Sequence, residues 1–147
     1  MRIRRLTPAD LSLARDLFTT IAGVFGEDGD KLGDAYLDRL LGRETFWALA
    51  AFDGEQIVGG LTAHTLPLTA TEASAVFLYD LAVRRSHQRR GIGRELVRHL
   101  RELAAAEGVD EVFVAADEAD PQALAFYAAI GGEATRASCF AFSSRRG

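Results

Sequence analysis

The apolar positions along this 147-residue chain follow two spacings, one helical and one extended. Leu11, Ala14, Leu17, Phe18, Ile21 and Ala22 recur every three to four residues and predict an amphipathic helix ending near Gly23. Thr7-Pro8-Ala9-Asp10 in front of them reads as its start: Thr as cap, Pro at the first helical position, an acid closing the first turn. A Gly- and Asp-rich loop, Gly26 to Gly33, separates it from a shorter helix marked by Tyr36, Leu37, Leu40 and Leu41. A third helix, opening at Gly91 or Ile92, puts Ile92, Leu96, Val97, Leu100, Leu103 and Ala104 on one face and stops at Gly108. A fourth spans Ala119 to Ile130 and ends at Gly131-Gly132. Between the helices lie strand-like runs: Ile3 to Leu6, Phe46 to Phe52, Gln56 to Thr65, Ala75 to Arg84 and Val109 to Ala116. Asp53-Gly54 is a hairpin turn, and Glu133 to Phe142 supplies a last strand or hairpin. The order β-α-α-β-β-β-α-β-α-β predicts an α/β or α+β domain with one central mixed sheet.

Composition adds exclusions. With 48% apolar and 26% charged residues, 147 residues suffice for one compact domain, 1–147, and not for two. The longest apolar run, Phe46 to Phe52, is far short of the roughly 18–20 residues of a membrane span. Basic residues open the chain without an apolar stretch behind them, so no signal peptide is expected. A single cysteine, Cys139, fits a reducing compartment, and a cytoplasmic location is expected. The net charge of −4 argues against a nucleic-acid partner.

The distribution of charge says more than its sum. Seven arginines and one acid lie between Arg84 and Arg101, a local net of +6. Five acids and one base lie between Glu27 and Asp38, and seven acids without a base between Glu102 and Asp120. Such segregation suits one anionic and one cationic client.

The anionic client has an evident seat. Leu81-Ala82-Val83 ends a strand, Arg84 to Arg90 form a short basic loop, and Gly91 and Gly93 open a helix. Unpaired amides at a helix start, the macrodipole and flanking arginines together make a pyrophosphate cradle. A dinucleotide fold fits poorly, because the third glycine of its fingerprint is Leu96; a nucleotide triphosphatase fits poorly because no Gly-Lys-Ser/Thr follows.

Gln88-Arg89-Arg90-Gly91-Ile92-Gly93, behind Asp80-Leu81-Ala82-Val83, resembles the Gln/Arg-x-x-Gly-x-Gly/Ala motif of the Gcn5-related N-acetyltransferase superfamily. Asp120 to Gly131, with its Phe126-Tyr127, resembles the second motif of that superfamily. Phe25-Gly26-Glu27, Thr45 to Asp53, Leu66-Pro67 and Tyr79 to Val83 are similar to the type I aminoglycoside 3-N-acetyltransferases. Those enzymes carry acids in the last strand, whereas Cys139 to Phe142 has none. The resemblance implies a single domain with a central mixed sheet of about six to seven strands flanked by four helices. It implies acetyl-CoA as cofactor and acetyl transfer by direct attack on the 3-amino group of an aminoglycoside. Other small cationic amines such as polyamines, peptide or protein amines, and a non-catalytic acyl-CoA sensor are the alternatives.

The resemblance also assigns residues. Leu81, Ala82 and Val83 pair with the pantetheine arm, and Gln88, Arg89, Arg90, Gly91, Ile92, Gly93 and Arg94 surround the pyrophosphate. Val83 N–H serves as oxyanion donor. Asp80 is the candidate base or substrate anchor, and strand alternation sets it opposite Tyr79 and Leu81. Tyr127 is the candidate acid. Glu27, Asp28, Tyr79, Asp80, Asp117, Glu118 and Asp120 are candidate contacts for a polycationic amine. His64 is expected on a strand near the cleft, His87 in a loop, His99 exposed on a helix and Cys139 as a buried structural thiol. The spacing of His and Cys suggests no metal site. Relatives are often dimers, and Phe140 to Phe142 suggests an edge through which a homodimer could form.

Overall fold

The computed structural model describes residues 1–144. The described chain forms two compact units, Met1–Ala115 and the residues from Ala116 onward. The first holds β1 (Arg2–Arg5), α1 (Leu11–Val24), α2 (Asp34–Leu41), β2 (Phe46–Asp53), β3 (Gln56–Pro67), β4 (Ser74–Val83), α3 (Ile92–Ala106) and β5 (Glu111–Val114). The strands form one sheet in the order β1-β2-β3-β4-β5, antiparallel up to β4 and parallel between β4 and β5. The second unit holds α4 (Pro121–Ala129). Among the described residues this is an α+β fold with four α-helices and five strands.

The helix start at Thr7 forms as its residue types predict. Thr7 Oγ1 accepts from Ala9 N–H at 3.2 Å, and Asp10 Oδ2 accepts from Thr7 N–H at 2.9 Å, a reciprocal cap on a 3-10 turn that leads into α1. Leu17 and Ile21 of α1 and Leu37 and Leu41 of α2 bury against Phe46, Ala48, Ala50 and Phe52 of β2. Trp47, Leu49 and Ala51, on the opposite face of β2, are buried as well, and α3 packs against β2, β3 and β4. Burial on both faces is why β2 reads as an unbroken apolar run. Gly60 of β3 permits close packing of α1, since a Cβ there would strike the Leu17 side chain and Leu49 O.

Three expectations are corrected. Glu133 to Phe142 is not a strand: it takes part in no ladder among the described residues, and an extended segment without a paired neighbour gains no sheet bonds. Cys139 lies in that segment and is exposed rather than buried, as are Phe140 (82%) and Phe142 (98%). His99 is only partly exposed, and its Nδ1 is enclosed without a hydrogen-bond partner. Among the described residues, no helix is long and apolar enough to cross a membrane. Nor, among the same residues, do three or more His, Cys, Asp or Glu side chains gather in a way that could hold a metal ion.

Candidate active site

A cleft of about 280 Å³ opens beside β3 and β4 in the first unit. Phe18, Ile21, Phe25 and Leu40 give it an apolar wall; Glu27, Tyr36, Thr62, His64 and Asp80 give it polar groups. Glu27 is placed by the end of α1. Gly26 takes a positive φ of 72°, its N–H donates to Gly23 O, and Glu27 N–H reaches back to Ala22 O at 2.8 Å. This is the glycine-terminated helix end in which the chain reverses direction, and it delivers Glu27 to the cleft. Asp28, next in sequence, is exposed and outside the cleft lining.

Asp80 is placed by a bulge. Thr62 stands opposite Asp80 and Ala63 opposite Leu78, so Tyr79 is the extra residue of β4. Regular alternation would set Tyr79 and Asp80 on opposite faces, as the sequence suggests. The bulge instead turns both to the face of Thr62 and His64. Thr62 Oγ1 donates to Asp80 Oδ2 at 3.1 Å, while the Tyr79 ring meets the His64 ring edge-on at 6.1 Å. Tyr79 is 62% exposed and is not part of the cleft wall. Burial raises the Asp80 pKa above the ordinary carboxylate value; the Thr62 hydroxyl opposes this, the Glu27 charge adds to it and His64 opposes it.

The parallel ladder between β4 and β5 ends at Leu78 and Val114, so Asp80–Val83 are paired by β3 on one side alone. Arg84 N–H donates to Val58 O at 2.8 Å. Strand alternation therefore turns the amide of Ala82 toward β3 and those of Leu81 and Val83 toward the open side. Gln88 Nε2 donates to Val83 O at 2.9 Å and so engages the last carbonyl of that edge. Arg89 (φ 63°) and Gly91 (φ 80°) then reverse the chain into α3 through left-handed conformations. Glu95 N–H closes the first helical bond on Gly91 O, and no side chain caps the start. The N–H groups of Ile92, Gly93 and Arg94 thus precede the helical ladder and are open to an anion, as at any uncapped helix start.

The basic run divides into two groups. Arg84 donates to Ile57 O and Thr20 Oγ1, and Arg98 bridges Glu95 and Glu102, so both serve the fold. Arg85, Arg89, Arg90, Arg94 and Arg101 are exposed and make no ion pair among the described residues. His87 lies in a 3-10 turn, Arg85–His87, rather than in an irregular loop, and serves the structure. Its Nε2 lies 2.9 Å from Asp53 Oδ2 and its Nδ1 lies 2.7 Å from Ser86 Oγ, tying the loop to the β2–β3 hairpin. An open strand edge followed by an uncapped, arginine-flanked helix start fits a ligand that is an extended amide chain joined to a pyrophosphate.

The second unit carries the remaining candidates. Asp117 Oδ1 accepts from Ala119 N–H at 2.8 Å, and Asp120 Oδ1 caps α4 through Ala123 N–H at 3.1 Å. Glu118 is exposed. Tyr127 lies on α4 against the Phe126 ring, and burial first, then the Asp120 charge, raises its pKa above that of a free phenol. Sequence reasoning passed over Thr62, Tyr36 and Phe25 as functional residues. The one available signal for Thr62 was a lone hydroxyl in an apolar stretch, Leu61 to Ala63.

The family described as "Acetyltransferase (GNAT) family" matches residues 13–131. An aminoglycoside acetyltransferase from an uncultured soil metagenomic sample is 36% identical, with a TM-score of 0.88 over 97% of this chain and 98% of that one. A second from such a sample, solved with sisomicin, is 30% identical, with a TM-score of 0.92 over 97% and 95%. A ribosomal-protein-alanine N-acetyltransferase from Brucella melitensis biovar Abortus 2308 shares the fold at 21% identity, with a TM-score of 0.77 over 97% and 100%. No curated protein matches the chain. The cofactor of this family is acetyl-CoA, which agrees with the open edge and helix start described above. With the match spanning both compact units, the chain belongs to the GNAT acetyltransferase family.

Proposed function

We propose that the protein transfers the acetyl group of acetyl-CoA to the 3-amino group of an aminoglycoside, with 1–147 acting as one transferase domain. The observation that carries this reading is Asp80: a partly buried carboxylate in an apolar-walled cleft with a second acid, at the point where the β4 edge opens. Likeness to two metagenomic aminoglycoside acetyltransferases supports the substrate class. The choice of the 3-amino group rests on the resemblance of Phe25 to Glu27 and Tyr79 to Val83 to the type I enzymes.

Bound acetyl-CoA supplies the acetyl group as a thioester. Leu81 and Val83 offer amides along the open edge, and Val83 N–H donates to the oxygen on which charge gathers. Gly91, Ile92, Gly93 and Arg94 offer backbone amides to the pyrophosphate, with Arg89 and Arg90 adding charge. Glu27 and Asp80 attract the ammonium groups of the substrate, and Asp80 takes the proton that must leave before the amine can attack. Tyr127, whose phenol is protonated at neutral pH and held so more firmly by burial, would supply the proton that a thiolate leaving group needs. Replacing its hydroxyl, Tyr127→Phe, is expected to lower turnover by roughly 10- to 100-fold with cofactor binding intact. A cytoplasmic location completes the reading, as does a homodimer, which sedimentation would reveal.

The test is thiol release with a panel of aminoglycosides, polyamines and peptide amines, followed by NMR of the product. Release with a gentamicin-type substrate and acetylation at its 3-amino group are expected. Silence with every aminoglycoside, or acetyl on a different amine, overturns the corresponding part of the reading.

A further inference from the structure

Thr62 is one of two buried polar side chains in the described chain, 7% exposed in the middle of β3. A buried hydroxyl without a partner is costly, and the partner of this one is Asp80 Oδ2 at 3.1 Å. Its neighbours Gly60, Leu61 and Ala63 offer no polar side chain. The pairing depends on the bulge. In a regular ladder continued from Ala63 opposite Leu78, Thr62 would stand opposite Tyr79, out of register with the carboxylate. Bulge and hydroxyl together thus bind one carboxylate oxygen to the sheet. The other, Oδ1, accepts no hydrogen bond among the described residues.

We propose that Thr62 is the positioning residue of Asp80, fixing which oxygen faces the cleft and keeping the carboxylate charged for its work. This rests on the reading of Asp80 as the group that meets the amine. Thr62 does not itself touch substrate in this scheme; it acts through its neighbour. The other titratable groups lining the cleft are Glu27 from the loop after α1, Tyr36 from α2 and His64 from β3. All three are retained when only Thr62 is changed, so a difference between variants reports the hydroxyl.

The test has two readouts. The first is a carbon-13 NMR titration of the Asp80 carboxyl in the wild-type protein, Thr62→Val and Thr62→Ser, without substrate. Loss of a hydrogen bond to the charged form moves the midpoint to higher pH in Thr62→Val, and the serine hydroxyl returns it. The second is turnover. Near neutral pH, Thr62→Val is expected to lower kcat/KM by about 10-fold. It should move the acid limb of the profile upward and have no further effect in an Asp80→Asn background. Thr62→Ala gives the same comparison if the valine perturbs folding. An unmoved midpoint, or an equal loss with and without Asp80, overturns the proposal. Full turnover in Asp80→Asn alone would instead overturn the role given to Asp80, while the NMR titration still decides whether Thr62 holds it.

Discussion

The cleft around Asp80 and the loop before α3 both handle charge, yet they are made from different parts of the chain. In the cleft the working groups are side chains, Asp80 from a strand and Glu27 from the loop after α1, and burial sets the properties of Asp80. Asp80 is raised above the usual carboxylate value by its surroundings, with Glu27 adding and Thr62 and His64 opposing. In the loop the working groups are backbone amides, set by conformation: Arg89 and Gly91 sit at positive φ, and α3 starts without a side-chain cap. Chemistry that must take up a proton needs a tunable side chain. Holding an anion needs only fixed dipoles and nearby charge, and an exposed loop suffices.

That contrast breaks if single substitutions do not separate the two regions. The largest effect is expected from Asp80→Asn, which removes the proton acceptor and leaves the shape. Turnover should fall by roughly 100- to 10,000-fold while cofactor affinity, measured by calorimetry, stays level. A parallel loss of cofactor affinity would mean that the cleft and the loop are not independent. Next comes Gly91→Val. Nothing lies within 4 Å of a Cβ at Gly91, so the cost is conformational, about 1–2 kcal/mol for a branched residue at φ 80°. Cofactor affinity should weaken about 10-fold, with turnover at saturating cofactor retained. Weakening of the aminoglycoside KM alone would count against a backbone-built cradle.

The smallest effect sharpens the comparison through stability. The folded Asp80 binds its proton more readily than the unfolded chain does, because its folded pKa is raised. Stability from that group is therefore present at low pH and is lost as pH rises through the folded value. Asp80→Asn, neutral throughout, should melt higher than the wild type at pH 7.5, and the gap should close as pH falls toward 4. A constant gap would assign the difference to packing. A residue that improves stability when removed is one retained for its chemistry.

Much of the architecture was legible in local sequence. Thr7 and Asp10 announce a reciprocal cap with their own side chains, and both bonds form. The helix opening at Ile92 and the glycine stop at Gly108 are likewise local features. Two things were not legible, for one reason: they depend on partners distant in sequence. The bulge at Tyr79 is a mismatch in length between β3 and β4, and neither strand alone reports it. It overturned the expected opposite facing of Tyr79 and Asp80. Glu133 to Phe142 has the apolar content of a strand, but strand formation needs an edge to pair with, which content does not reveal. Cys139 was misplaced along with it. Among the candidate acids, Glu27 follows from a helix end visible in the sequence, and Asp117 and Asp120 make bonds local to the turn and cap before α4.

The bulge has a consequence for changes in chain length. Removing one residue from most points of β4 would invert every side chain beyond it, sending core groups to the wrong face of the sheet. Position 79 is different. A chain lacking Tyr79 would still set Asp80 against Thr62 and Leu78 against Ala63, with both halves of the strand in phase. A deletion that selection would reject elsewhere in β4 is geometrically neutral there. The strand beside the reacting groups thus contains one place where evolution can shorten the rim of the cleft without rebuilding the core beneath it.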